Sequence, residues 1–112
     1  MALVKSSPGG SVTQATSKAT AVELNRPSGQ ITLNAASLAA TTSVSFTLTN
    51  GVIDADDHVS VCIASGATTN SYVVGVDAVA AGSCRVHLRN VTAGALAEAL
   101  VLSFVVIKNY PQ

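Results

Sequence analysis

Apolar and polar residues alternate along most of this chain, and that alternation restricts the fold more than any other feature of the sequence. Val44, Phe46 and Leu48, for example, are each followed by a serine or a threonine. A period of two is that of a β-strand with one face buried and the other in solvent. The pattern recurs between turn sequences such as Asn50-Gly51, and it predicts strands at residues 20–24, 30–33, 43–49, 59–64, 72–79, 84–90 and 100–108.

The number and length of these strands indicate one class of fold. A chain of 112 residues has the size of a single domain. About seven or eight short strands joined by polar loops are typical of a sandwich or barrel. We therefore predict an all-β fold: a single antiparallel β-sandwich or jelly-roll-like domain over residues 20–112. Residues 34–40 form the only segment whose pattern fits a helical turn.

The first 19 residues differ from the rest, because they are small and polar with few large apolar side chains. Such a segment alone buries too little surface to offset the entropy lost on ordering. We predict that residues 1–19 form an extended N-terminal arm held by contacts with other parts of the protein or with a neighbouring subunit.

Lys5 is not followed by the apolar core of a secretory signal, and no stretch reaches the roughly 20 apolar residues of a membrane helix. We expect a soluble protein made in a cytoplasm, with no membrane partner.

Charge and composition restrict the classes of function. Only 11% of the residues are charged, and six basic residues balance six acidic ones. A chain without net charge has no long-range field to attract nucleic acid, so we expect no nucleic-acid partner. Residues able to act as acid, base, nucleophile or metal ligand are few, and neither a Gly-x-Ser-x-Gly elbow nor a phosphate-binding loop occurs. We expect no enzymatic activity and no cofactor.

The two cysteines, Cys62 and Cys84, fall on opposite faces of their predicted strands. Cys62 alternates with Val61 and Ile63 and so points outward, whereas Cys84 shares the parity of Val86 and points inward. Side chains on opposite faces of a sheet do not form a disulfide. We therefore predict two free thiols.

The last predicted strand is apolar on both faces. Leu100, Leu102, Phe104 and Val106 form one face, and the other carries three further residues, Val101, Val105 and Ile107. A strand of a sandwich with one core needs only one apolar face. Two explanations remain open: the arm or a loop covers the second face, or another subunit does. Under the second explanation, Val101, Val105 and Ile107 are candidate partner contacts.

An acidic cluster, Asp54-Ala-Asp56-Asp57-His58, is a weak candidate for a metal site through Asp54, Asp56 and Asp57. Oxygen clusters of this kind suit hard cations such as calcium. The spacing lacks the glycine and the bidentate glutamate of an EF-hand loop. Aspartates are also common in turns, because they bond to their own backbone. A solvated turn without a metal is the favoured interpretation.

Arg85, His87 and Arg89 share the outward parity of one predicted strand and form a basic row on a chain with little other charge. Such a row can bind an acidic partner surface or an anionic sugar. It can equally be a solvated face whose charges discourage aggregation between sheet edges. We retain Arg85, His87 and Arg89 as candidate partner contacts.

Several segments together resemble a group of small virion proteins and modules of tailed bacteriophages. The resemblance covers about residues 10–108 and lies in residues 10–40, in Val44-Ser-Phe-Thr-Leu-Thr-Asn50, in residues 77–90 and in residues 94–108. The matching positions are strand cores and turns, so no functional residues are carried over. The resemblance implies a β-sandwich in a virion, often assembled as a trimer, on the head or on the tail.

Capsid decoration is the role we favour among those that the resemblance implies. A decoration (cement) or head-fibre protein would bind the major capsid protein at the capsid surface as a homotrimer and stabilise it. The sequence has no coiled-coil heptads or β-helix repeats and is short for a tail fibre. A tail fibre or spike component, or a receptor-binding module, is the alternative. A carbohydrate-binding module is a further alternative, disfavoured because only two Phe and two Tyr are present for stacking on sugars.

Overall fold

The computed structural model describes residues 9–109, and this part of the chain contains eight β-strands and no helix. The strands are β1 (Ser11–Thr13), β2 (Val22–Glu23), β3 (Ser28–Thr32), β4 (Ser43–Thr49), β5 (His58–Ser65), β6 (Tyr72–Ala80), β7 (Ser83–Asn90) and β8 (Val101–Ile107). They form two four-stranded sheets, which we call sheet A, with the order β1-β3-β8-β5, and sheet B, with the order β2-β4-β7-β6. The predicted all-β sandwich is confirmed.

The sheets are mixed rather than purely antiparallel. The pairs β3–β8, β5–β8, β4–β7 and β6–β7 are antiparallel, whereas the edge pairs β1–β3 and β2–β4 are parallel. From β1 to β4 the chain alternates between the two sheets. As a result β3 lies beside β1, and β4 lies beside β2, with the two strands of each pair running in the same direction. The alternation of side chains reveals a strand's faces but not its direction, so the sequence could not predict this feature.

The core lies between the inner faces of the two sheets. Sheet A contributes Leu102 and Phe104 from its central strand, and sheet B contributes Leu48 and Val86, all at most 3% exposed. Fully burying a side chain of this size stabilises the fold by about 1.5–3 kcal/mol. These residues occupy alternate positions of their strands, which is the period-two pattern of the sequence.

The cysteine prediction is confirmed. Cys62 is exposed on the outer side of β5, Cys84 is buried on the inner side of β7, and both thiols are free. Burial raises the pKa of the Cys84 thiol to about 11, with a smaller contribution from the negative charge of Asp77.

The predicted helical turn at residues 34–40 is wrong. This segment is an extended loop in which Leu38 pairs with Leu96 through two backbone hydrogen bonds, of 2.8 and 3.0 Å. The backbone N–H of Ala36 donates to the side-chain oxygen of Asn34. A bond of this kind competes with helical hydrogen bonds, and Leu38 is buried by the bridge rather than by a helix face.

The turn after β4 is held by the side chain of Asn50, which is fully buried. Its amide nitrogen donates to the carbonyl of Arg26 at 2.7 Å, and its Oδ1 accepts from the backbone N–H of Val52 at 3.0 Å. The N–H of Gly51 donates to Oδ1 of Asn25 at 2.8 Å. The side-chain amide of Asn50 and the backbone N–H of Gly51 are therefore both hydrogen-bonded within the protein.

Residues 9–19 of the predicted arm lie against the domain. They contribute β1, an edge strand of sheet A, and two buried polar residues, Gln14 and Lys18. Residues 1–8 and 110–112 are outside the described part of the chain. The described residues include no helix that is long and apolar enough to cross a membrane.

Candidate functional site

The outer face of sheet A carries exposed apolar residues along its central strand. Val105 is 41% exposed and Ile107 is 49% exposed, and we call these two residues the apolar row. Val105 lies between Ser28 of β3 and Ser60 of β5 in the strand register. Val101, the third candidate contact, is only half-exposed and lies at the other end of β8. Within residues 9–109 neither the arm nor a loop covers the apolar row, so the first of the two explanations left open by the sequence is not found in this part of the chain.

The outer face of sheet B carries the basic residues, as their parity predicts. Arg85 and Arg89 are exposed and His87 is half-exposed on β7, and we call these three residues the cation row. In the register with β4, Thr47, Ser45 and Ser43 stand directly opposite Arg85, His87 and Arg89, in that order. Cross-strand neighbours have Cβ atoms about 4.5–5.5 Å apart. Each cation or imidazole is therefore paired with a hydroxyl group on the next strand.

The cation row has one carboxylate partner, Asp77 of β6. Asp77 Oδ1 is 3.5 Å from Nε of Arg85, and Oδ2 is 3.8 Å from Nε2 of His87, with all three side chains about half-exposed. Both distances exceed the roughly 2.7–2.9 Å of a strong charge-assisted hydrogen bond. Arg89 has no carboxylate within salt-bridge distance in the described chain, and it donates to Oγ of Ser43 at 3.3 Å. The row keeps unused hydrogen-bond donors.

An open depression of about 230 Å³ lies beside the cation row, lined by Ser43, Val44, Ser45, Asp77, Arg85 and His87. Gly75 shapes it from the neighbouring strand. The imidazole of His87 lies against Gly75 so closely that a Cβ there would be 2.8 Å from Cε1 of the ring. A larger residue at position 75 would push the ring out of its place over β6.

The candidate metal cluster is bound to a lysine. Nζ of Lys108 donates to Oδ2 of Asp57 at 2.6 Å, to Oδ2 of Asp54 at 2.8 Å and to the carbonyl of Val52 at 2.8 Å. Asp56 is exposed and takes no part in these bonds. Among residues 9–109 no group of three or more His, Cys, Asp or Glu is arranged to hold a metal ion. Two of the three candidate carboxylates therefore bind an ammonium group instead.

The turn interpretation of this cluster is only partly right. Residues 54–57 do form a turn, with the N–H of Asp57 donating to the carbonyl of Asp54 at 3.0 Å. Asp57 is not solvated, since its side chain is 2% exposed. The hydrogen bond from Lys108 holds the pKa of Asp57 below its usual value, with a further contribution from the backbone N–H of Asp54. The bonds to Asp54 and Asp57 raise the pKa of Lys108.

A buried lysine, Lys18, joins the arm to two loops. Its Nζ donates to the carbonyls of Asn34, Ala36 (2.8 Å) and Glu98 (2.7 Å). Burial lowers the pKa of Lys18, and the negative charge of Glu98 opposes this effect. The role of Lys18 could not be predicted from the sequence, because its partners lie 16–80 positions away.

The side chain of Glu98 ties a third loop to this end of the sandwich. Its carboxylate accepts hydrogen bonds from the hydroxyl of Thr68 at 2.7 Å, the N–H of Thr68 at 3.1 Å and the hydroxyl of Tyr72 at 2.8 Å. These bonds, those from Thr68 first, hold the pKa of Glu98 below its usual value. Burial and the bond to Glu98 raise the pKa of Tyr72 to about 12. Lys18 and Glu98 thus stabilise loops rather than form an open site.

The two outer faces offer contacts of different chemistry. The apolar row can pack against an apolar surface, and the cation row with its hydroxyl groups can bind oxyanions. No protein-family model, no curated protein and no solved structure matches the chain.

Proposed function

We propose that this chain is a structural protein of a tailed-bacteriophage virion, a capsid decoration (cement) or head-fibre protein. In this role it binds the major capsid protein at the capsid surface as a homotrimer, stabilises the particle, and catalyses no reaction. The observation that carries the proposal is the apolar row, Val105 and Ile107, exposed on an inner strand of a sheet whose four strands contain no Asp, Glu, Lys or Arg.

The chemistry of this face supports burial against a second copy. Charged residues are depleted in the cores of protein–protein interfaces, because removing a charge from water is costly unless it is paired. In the strand register Ile107 lies beside His58, and Val105 lies between two serine residues, Ser28 and Ser60. Their small side chains allow a neighbouring subunit to approach the sheet closely.

The assignment to a virion rests on the resemblance of residues 10–108 to small phage virion proteins. The fold agrees with what that resemblance implies, since both are β-sandwiches. The low charge of the chain and its uncharged sheet A suit a protein that functions within an assembly.

The first test measures the mass of the protein in solution and on particles. Light scattering should give about three times the 11.2 kDa of the chain. Replacing the apolar row by V105D and I107D should yield a folded monomer, because two charges would then be buried at the interface. V73D is the matched control for the measurement in free solution, since Val73 is 58% exposed on the outer face of sheet B. A wild-type protein that stays monomeric free and on particles would contradict the trimer.

The second test measures the number of copies on each purified virion by quantitative mass spectrometry. A decoration protein should be present in numbers comparable to the capsid subunits, and adding it to bare heads should raise their resistance to heat. A few copies per particle, located at the tail, would instead assign the chain to a tail fibre, spike or receptor-binding component. Absence from virions would contradict the proposed function.

A further inference from the structure

The outer face of sheet B has a regular pattern of hydrogen-bond donors. Same-face residues of a strand are about 6.5–7 Å apart, since each residue advances the strand by about 3.3 Å. Arg85, His87 and Arg89 therefore repeat at that distance along β7. The opposing hydroxyl groups of Thr47, Ser45 and Ser43 repeat at the same spacing along β4.

An extended acidic peptide has the same spacing between its charged groups. In an extended peptide, carboxylates at every second residue are also about 6.5–7 Å apart on one side of the chain. Laid along β7, such a peptide can place one carboxylate at Arg85 and another at Arg89. Guanidinium groups bind carboxylates through paired, geometrically matched hydrogen bonds.

We propose that the outer face of sheet B binds an extended acidic protein segment, with alternate carboxylates on the cation row Arg85, His87 and Arg89. The proposal deepens the proposed function and rests on it for the identity of the partner, which would be an acidic strand or loop at the particle surface. The binding chemistry itself is a property of the isolated chain.

Asp77 acts as an internal competitor for the incoming carboxylate. Its oxygens stand 3.5 Å from Arg85 and 3.8 Å from His87, and all three residues line the depression. Because these contacts are long and half-exposed, they are weak, and a ligand carboxylate can replace them. Arg89, at the other end of the row, has no such competitor among the described ion pairs.

The alternative of a sugar ligand is less well supported on this face. Sugar rings are commonly held by stacking on aromatic side chains, and the outward positions of β4, β6 and β7 carry none. Tyr72, at the start of β6, is packed against the core and donates its hydroxyl to Glu98. The donors of this face therefore suit carboxylates better than a sugar ring, which finds no aromatic side chain to stack on at these outward positions.

The test uses the full chain and a fluorescent peptide of alternating glutamate and threonine, followed by fluorescence anisotropy at low salt. Binding should weaken as salt rises, and the double variant R85Q/R89Q should weaken it by about tenfold or more. The single variant R89Q should weaken binding more than R26Q, because Arg26 is an exposed arginine in the loop between β2 and β3. Equal losses for R89Q and R26Q, or none for R85Q/R89Q, would overturn the proposal.

Two further measurements test the geometry. D77N should strengthen binding by about two- to fivefold, because a competing carboxylate is removed; an unchanged or weaker affinity would contradict the role given to Asp77. A peptide of the same composition with paired glutamates, Glu-Glu-Thr-Thr, should bind less well, and equal binding would overturn the match of spacings. Circular dichroism and melting curves serve as the control that each variant is folded.

Dextran sulfate distinguishes the two classes of ligand. If it binds through Arg85 and Arg89 while the peptide does not, the face recognises a sulfated polysaccharide and the proposal fails. The variant V105D/I107D separates this proposal from the proposed function. It should lose self-association and keep peptide binding, so failure of one leaves the other measurable.

Discussion

Sheet A has no Asp, Glu, Lys or Arg in any of its four strands, whereas sheet B has Glu23, Asp77, Arg85 and Arg89. The inner faces of the two sheets do not differ in this way, since both are apolar and contribute to one core. Folding requires both inner faces to be apolar, but it does not require the outer faces to resemble each other. The difference between the outer faces therefore indicates which surroundings each sheet is suited to: another apolar surface for sheet A, and acidic groups for sheet B.

The largest expected effect is a loss of stability on truncating a core leucine. It tests whether the inner faces of the two sheets contribute equally to the core. Leu102→Ala in sheet A and Leu88→Ala in sheet B should each lower the free energy of unfolding by about 2–5 kcal/mol, because both side chains are at most 1% exposed. Val105→Ala and Arg89→Ala, outward neighbours on the same strands, should change it by about 0.5 kcal/mol or less. Urea unfolding of the monomeric protein measures all four. A loss at Val105 as large as that at Leu102 would mean that the apolar row belongs to the core of the single chain.

A smaller expected effect is a change in the pH dependence of stability, which should differ between the ion pairs of the two sheets. Lys108 follows β8 of sheet A and bonds to the buried Asp57, whereas the Asp77 pair of sheet B is half-exposed. Because Lys108 lowers the pKa of Asp57 in the folded state, this carboxylate stabilises the fold above its unfolded pKa of about 3.9. That contribution is lost as the pH falls through the lower folded-state pKa.

Asp57→Asn should therefore lower stability at neutral pH, and its difference from the wild type should shrink in acid. Asp77→Asn is the control and should leave the acid-dependent loss of stability in place. Melting temperatures recorded from neutral pH into the acid range make the comparison. If D57N keeps the full pH dependence of the wild type, another group is responsible for it.

The smallest expected effect concerns Cys62, which lies on the outer face of sheet A. In the folded monomer a maleimide should label Cys62, whereas Cys84 should react only after unfolding, because it is buried with a pKa of about 11. When copies associate through sheet A, labelling of Cys62 should slow by about two- to fivefold as access falls. V105D/I107D should restore the monomer rate and V73D should not. A rate that is independent of protein concentration would argue against sheet A as the contact.

Seven of the eight strands and their faces could be predicted from the sequence because a strand's pattern is local, whereas β1 (Ser11–Thr13) lies in the segment that was predicted as an arm. Val44, Phe46 and Leu48 alternate over five residues, and the parity of Cys62 and Cys84 follows from their immediate neighbours. The same local argument placed the cation row on one face. It failed at residues 34–40, where a contact between Leu38 and the distant Leu96 determines the conformation.

The polar contacts that hold the loops could not be predicted, since each joins residues far apart in the chain. Lys108 binds carboxylates more than 50 positions earlier, and Lys18 binds a carbonyl 80 positions later. Nothing in the residues around either lysine distinguishes it from a solvated one. The Asp54–Asp57 cluster was visible as an acidic turn, but its partner was not. Asp77 was missed for the same reason, because its place beside Arg85 depends on the register of β6 with β7.

The bonds around Asn50 have a chemical consequence for the ageing of the protein. An asparagine followed by glycine loses ammonia readily, because the next backbone nitrogen can attack the side-chain carbonyl and glycine has no Cβ to hinder it. Here that nitrogen donates to Asn25, and the leaving amide donates to Arg26. Ring closure therefore requires the turn to open first. Conversion of Asn50 to aspartate or isoaspartate should thus record how long this turn has been open over the lifetime of the protein.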